Sequence, residues 1–230
     1  MILGNGLVAN NLLAFQDDNS VLIFASGVSN SGEKNQHAYD KEEQLLMAVK
    51  DTSSKLVYFS TCSIFDPDAA TSAYTIHKKK MEAVIAKTFP NYLILRLPLL
   101  IANTPNQNTF YNYIANRVLK QERLEVYKNA WRYIFDAEDL SQFVPLLIKE
   151  NAKGGKVLNL VYDNAAPVPD LVSMFEKILN KQAKKEVIER GIFYDFDKEE
   201  FASLLKRNHM NFDKDTYNYA TLKKYLSRLT

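Results

Sequence analysis

Lys55–Met81 reads KLVYFSTCSIFDPDAATSAYTIHKKKM, and its pattern decides the fold. Leu56 to Ser60 is an unbroken apolar run that closes on hydroxyls at Ser60 and Thr61, as in a strand buried on both faces. Asp66-Pro67-Asp68 makes a compact turn, and Tyr74 to Lys87 has helical spacing. Tyr74 and Lys78 stand four residues apart and so share one helical face. An ammonium beside a phenol lowers its pKa from the usual value of about 10. A tyrosine placed this way, next to a strand-end hydroxyl, is equipped to pass a proton to or from an alcohol or carbonyl oxygen. The competing reading is an ordinary amphipathic tyrosine, one of 13 in the chain, beside a wetted Lys78-Lys79-Lys80 face.

Upstream, Met1 to Leu3 is a short strand running into Gly4-Asn5-Gly6-Leu7-Val8-Ala9, and an apolar helix is expected over 7–15. Val21 to Ala25 is the next buried strand, ending at Ser26-Gly27. Leu45, Leu46 and Val49 place a helix over 39–50. Downstream, Tyr92 to Leu97 is a strand stopped by Pro98. This βαβα alternation of apolar strands predicts an α/β fold with a parallel sheet covered on both faces.

The second half is less regular. It predicts helices at 110–120, 139–149 (with Asp139 as cap) and 169–180, and strands at 124–127 and 157–161. Lysine-rich helical pieces with aromatics follow from Phe201, read as a partial cover over a ligand cleft.

At 230 residues, 47% apolar and 24% charged, the chain has the material for a real core. A formal charge of +2 implies no nucleic-acid partner. No apolar run approaches the roughly 20 residues that span a bilayer, and the first residues lack the pattern of a signal peptide. The single cysteine, Cys62, makes no internal disulfide and points to a reducing cytoplasm. It reads as a packed small residue near the strand end. His77 is expected to face solvent, and His37 and His209 have no metal-ligand spacing with Cys62, so no metal site is expected.

Gly4-Asn5-Gly6-x-x-Ala9 sits between a strand and a helix start, where glycines allow close backbone approach to a phosphate. Two glycines in a tight turn also occur with no ligand at all. Together with Thr61, Tyr74 and Lys78, the chain resembles the short-chain dehydrogenase/reductase superfamily, in its extended nucleotide-sugar epimerase/dehydratase branch. Thr61 stands three residues before Ile64-Phe65-Asp66, which is similar to the family's Val-Tyr-Gly triplet. Tyr74 and Lys78 match its Tyr-x-x-x-Lys pair. Leu93–Pro98 resembles the strand whose end faces the nicotinamide. Arg132-Tyr-Ile-Phe-Asp-Ala-Glu-Asp139 is similar to its Arg-x-x-x-x-Val-x-Asp segment. The likeness extends to about residue 180.

That resemblance implies an NAD(P)-dependent oxidoreductase or epimerase acting on a nucleotide-activated sugar, with Thr61, Tyr74 and Lys78 catalytic. It implies NAD or NADP held by Gly4, Asn5, Gly6, Leu7, Val8, Ala25, Ser26, Lys78 and Pro98, and substrate held by Ser63 and Arg132. A surface ion pair with Asp136 or Glu138 is the rival role for Arg132. The expected division is a nucleotide-binding core at 1–102, with core elements also within 124–161, and a substrate-covering region at 103–230. A homodimer through the helices near 39–50 and 74–87 is also implied.

Departures from the family pattern are as informative. Leu3 and Ala9 replace two of the usual three glycines. Asp17-Asp18-Asn19-Ser20 leads straight into Val21, so the family's second and third strands, which wall the adenosine, are expected to be missing. The Thr61–Tyr74 interval is short, and Cys62-Ser63 stands where dehydratases carry Asp-Glu. The truncation motivates a second reading: a non-catalytic dinucleotide- or sugar-nucleotide-binding member serving a polysaccharide pathway.

Overall fold

The computed structural model describes residues 1–229. Its elements in chain order are β1 (Ile2–Leu3), α1 (Leu7–Asn10), β2 (Val21–Phe24), α2 (Gln36–Met47), β3 (Lys55–Thr61), α3 (Ala73–Thr88), β4 (Tyr92–Leu97), β5 (Leu99–Ile101), α4 (Phe110–Lys120) and β6 (Arg123–Tyr127). There follow β7 (Trp131–Arg132), β8 (Ile134–Asp136), α5 (Leu140–Glu150), β9 (Gly155–Asn159), β10 (Ala166–Pro167), α6 (Val168–Leu179), β11 (Lys184–Ile188), α7 (Glu199–Arg207) and α8 (Lys214–Leu226). The chain packs as two units, Met1–Leu97 with Ala137–Leu160, and Pro98–Asp136 with the residues from Val161 on. The boundary expected at residue 102 therefore falls after Leu97. The strand at 124–127, expected within the nucleotide-binding core, belongs to the second unit.

In the first unit a five-stranded sheet runs in the order β1-β2-β3-β4-β9, with every pairing parallel. All residues of β2 and β3 are buried, as expected of apolar runs in a sheet covered on both faces. Leu22, Phe24, Leu56 and Tyr58 of these strands and Ile94 of β4 form one core with Leu46 of α2 and Met81 and Ile85 of α3. Lys55 at the start of β3 is buried because its Nζ donates to Asn91 Oδ1 at 2.9 Å and reaches the carbonyls of Tyr92 and Gly154 at 3.4 Å. Among the described residues no strand lies between α1 and β2, so the expected loss of two strands is a feature of the fold.

Two local expectations are corrected. The helix expected over 7–15 is one α-turn, Leu7–Asn10, followed by the 3-10 turn Leu13–Phe15. Consecutive Asn10 and Asn11 break it, and Asn11 Nδ2 takes the Leu7 carbonyl at 2.9 Å. Asp139 does not cap α5: the 3-10 turn Ala137–Asp139 runs straight into the helix, so Asp139 has helical backbone and makes no side-chain cap bond.

The second unit holds three two-stranded pairings, β5–β8, β6–β11 and β7–β10. The parallel β6–β11 ladder aligns Arg123 with Lys184 through to Tyr127 with Ile188. The charged Lys184-Lys185-Glu186 hides β11 from an apolar-pattern search. The tail from Phe201 is not a small cover. Leu222 and Leu226 of α8 are fully buried, and α8 packs on α6. Asp136 fastens it, accepting from Tyr225 Oη at 2.5 Å and Lys224 Nζ at 2.7 Å. Tyr162 stacks on Phe212 with centroids 4.1 Å apart. No helix among the described residues is long and apolar enough to cross a membrane.

Candidate functional site

The carboxyl ends of β1, β2 and β3 bring most of the expected groups into the first unit. β3 ends at Thr61, whose Oγ1 accepts the Ser63 amide at 3.1 Å and so starts a 3-10 turn through Phe65. Asp66 repeats the device, accepting the Asp68 amide at 3.0 Å. Ser72 then caps α3 through the Thr75 amide at 3.1 Å. This compact return places Tyr74 in the first turn of α3, near enough to the Thr61 side chain for that hydroxyl to act on its phenol.

Electrostatics around Tyr74 differ from the sequence reading. Burial pushes its phenol up to about 12, against the opposing pull of the Thr61 hydroxyl, and the Glu42 charge adds to the rise. The Lys78 ammonium stands 6.0 Å from the centroid of the Tyr74 ring and makes its hydrogen bonds elsewhere. It donates to Glu42 Oε1 at 3.0 Å and Tyr58 Oη at 3.0 Å and approaches the Phe59 carbonyl at 3.4 Å. An ammonium has three donors, and these three acceptors use them. Nor does Lys78 lie on a wet face, for it is 2% exposed.

Glu42 is the residue the sequence reading missed. Its carboxylate, 1% exposed, also accepts from Tyr58 Oη at 2.6 Å and the Val28 amide at 2.7 Å, with His77 Nε2 at 3.0 Å. Burial alone would raise its pKa. The His77 contact, the Lys78 charge and the Tyr58 and Val28 donors outweigh that and hold it down at about 2. The expectation that His77 faces solvent is overturned: it is buried between Glu42 and the Tyr39 ring, whose centroid is 4.7 Å away. A signal existed, since Tyr39, Glu42 and Leu46 fall on one buried stripe of α2. A glutamate there needs a buried partner.

A second ionic pair joins α3 to β4. Glu82 receives Arg96 Nε at 2.9 Å and Nη2 at 2.6 Å, and the Ser60 hydroxyl at 2.5 Å. Cys62 is packed beside it, its Sγ 3.4 Å from the Arg96 carbonyl, and burial drives the thiol well above its ordinary pKa.

At the sheet edge, Gly4 has φ +121°, and a Cβ there would stand 2.4 Å from the Ala25 carbonyl oxygen. Only glycine lets the loops after β1 and β2, carrying Asn5, Ala25 and Ser26, close on one another. Gly6 precedes Leu7 and Val8 at the start of α1, and nothing lies within 4 Å of where its Cβ would be. Pro98 and Arg132 belong to the second unit. Arg132 Nη1 donates to the Trp131 carbonyl at 2.7 Å. The same residue helps to line a cavity of about 230 Å³ with Phe110, Tyr113, Leu124, Tyr127 and Val172.

No protein-family model and no curated protein matches the chain. Solved structures do. The chain is similar to MoeE5 in complex with UDP-glucuronic acid and NAD, at 16% identity and TM-score 0.73, covering 99% of this chain and 86% of that one. A dTDP-4-dehydrorhamnose reductase from Clostridium acetobutylicum has 17% identity and TM-score 0.68, covering 97% and 85%. UDP-glucuronic acid 4-epimerase from Bacillus cereus, in complex with UDP-glucuronic acid and NAD, has 18% identity and TM-score 0.67, covering 99% and 80%. The Rossmann-like fold of nucleotide-sugar epimerases and reductases, implied by the sequence resemblance, is therefore the fold of this chain.

Proposed function

We propose that this protein binds a nucleotide-activated sugar and, with a nicotinamide nucleotide, oxidises or reduces one of its carbons. The observation that carries the reading is the buried Tyr74 phenol in the first turn of α3, near the Thr61 side chain at the carboxyl end of β3. Thr61 orients the phenol, and Tyr74 exchanges a proton with the sugar's hydroxyl or carbonyl oxygen. Because the phenol is held protonated, Tyr74 serves most readily as the acid, delivering a proton to a carbonyl oxygen. Ser63, one turn on from Thr61, is the further candidate to touch the sugar.

The residues at the sheet edge suit a nicotinamide with its ribose and phosphate: Gly6 leaves its backbone open to close approach, and Ala25 and Ser26 follow the adjacent strand. When bound, that group supplies or accepts the hydride. Lys78 takes a different part from the one the resemblance implied. It ties α3 to α2 and β3, and so fixes the start of the helix that carries Tyr74. In the second unit, the aromatic walls of the cavity suit a nucleobase, and Arg132 suits a diphosphate. We further propose a homodimer through the outer faces of α2 and α3, where Met47 and Ile76 are exposed.

The buried state of Lys78 favours one rival, a non-catalytic sugar-nucleotide binder. Turnover separates the two. UDP-glucose, UDP-glucuronic acid and a dTDP-4-keto sugar, each offered with NAD(H) or NADP(H), should give a change in nicotinamide absorbance that Tyr74→Phe abolishes while leaving sugar-nucleotide binding intact. Calorimetric binding of the sugar nucleotides with neither a net absorbance change nor any epimerised sugar by chromatography would establish the binder instead.

A further inference from the structure

Strand order in the first unit limits what its nucleotide site can hold. A doubly wound sheet binds a dinucleotide across the point where strand order reverses, with one mononucleotide-binding half on each side. Here the order β1-β2-β3-β4-β9 never reverses, and β1 is the terminal strand. After Asn10 the chain makes only turns and the Leu13–Phe15 3-10 turn before it enters β2 at Val21. Among the described residues nothing extends the sheet beyond β1. One half is complete, with Gly4, Gly6, Ala25, Ser26, Thr61 and Tyr74 at its strand ends. The other half, which would wall an adenosine, is not built between α1 and β2 among the described residues.

Two further observations agree. α1 is a single turn, so it lacks the aligned peptides whose summed dipole would favour a pyrophosphate. Lys78 has spent its donors on Glu42, Tyr58 and Phe59. Affinity for a nicotinamide group must then come from the ring, its ribose and the nearest phosphate.

On the reading of the first unit as a nicotinamide site, we propose that it is a mononucleotide site, one that recognises a nicotinamide mononucleotide and draws no affinity from adenosine. NAD(H) and NADP(H) bind through the same half, their adenosine lying in solvent, and the 2′-phosphate is not distinguished. This predicts a protein that accepts NMNH, NADH and NADPH alike.

The test is a titration of the full chain with NMNH, NADH and NADPH, read by nicotinamide fluorescence and calorimetry, with AMP and ADP-ribose as competitors. Dissociation constants agreeing within about threefold, with no competition by AMP, are expected. NADH binding more than about tenfold tighter than NMNH, or displacement by AMP, would overturn the proposal and leave the nicotinamide reading standing. Failure of all three to bind at millimolar concentration would overturn both. Gly6→Val supplies a second readout: the three should weaken by the same factor with the circular dichroism spectrum unchanged, and loss confined to NADH and NADPH would refute the mononucleotide site.

Discussion

Glu42 and Lys78 are a sealed ion pair: their charged atoms lie 3.0 Å apart, and both side chains are almost wholly withdrawn from solvent. Pairing compensates two charges that would each be costly to bury alone. It also turns the Lys78 donors toward Glu42 and Tyr58 and the Phe59 carbonyl.

Lys78→Ala strands the Glu42 charge in the core. It should destabilise the protein by about 3 to 5 kcal/mol, measured by urea unfolding. The double replacement Glu42→Leu with Lys78→Met should recover most of the loss. A single variant as stable as the parent would show the pair to be solvated in solution.

Acid should expose the same carboxylate. With a folded pKa of about 2 against an ordinary value of 4.5, Glu42 contributes stability that is fully present above pH 4.5 and drains away as pH falls toward 2. The contribution is about 3 kcal/mol, at roughly 1.4 kcal/mol per pKa unit. Chemical denaturation between pH 6 and 3 should therefore show a shallower decline in Glu42→Gln than in the parent.

Tyr74 should ionise late. Difference absorbance between the parent and Tyr74→Phe should place its titration near pH 12, so any reduction it assists should not lose its proton donor between pH 7 and 10. A phenol ionising below pH 9 would mean that Lys78 leaves Glu42 in solution.

Gly4 and Gly6 should respond differently to alanine. Gly4→Ala meets the Ala25 backbone at positive φ and should cost about 1 to 3 kcal/mol. Gly6→Ala adds a methyl in open space and should leave the melting temperature alone while weakening nicotinamide nucleotide binding. Equal thermal losses would mean that Gly6 is packed as tightly as Gly4.

Arg132→Ala should weaken sugar-nucleotide binding by about tenfold or more and leave nicotinamide binding unchanged, as calorimetry with UDP-glucose and NADH can show. An equal loss for both ligands would count against a role confined to the sugar nucleotide.

The parallel sheet was legible because its strands are apolar runs. Val21–Phe24, Lys55–Thr61 and Tyr92–Leu97 need no partner information to be read as buried strands, and the direct run from Asn19-Ser20 into Val21 announced the missing pair. The nearness of Thr61 to Tyr74 was legible for a similar reason, since one short turn separates strand end from helix start. β11 escaped notice because three of its five residues are charged, and α1 was overextended because an apolar stretch conceals two asparagines that stop the helix.

Sequence alone determined the order of strands and helices around the parallel sheet of the first unit, and the strand-end hydroxyl with a tyrosine one short turn away, because local periodicity and turn chemistry record burial within a segment. Only the tertiary structure decided where Lys78 and His77 point, since that depends on Glu42, 36 residues from Lys78 along the chain, arriving on the facing helix. A buried charge is resolved by whichever partner the packing delivers, and no spacing within α3 contains that information.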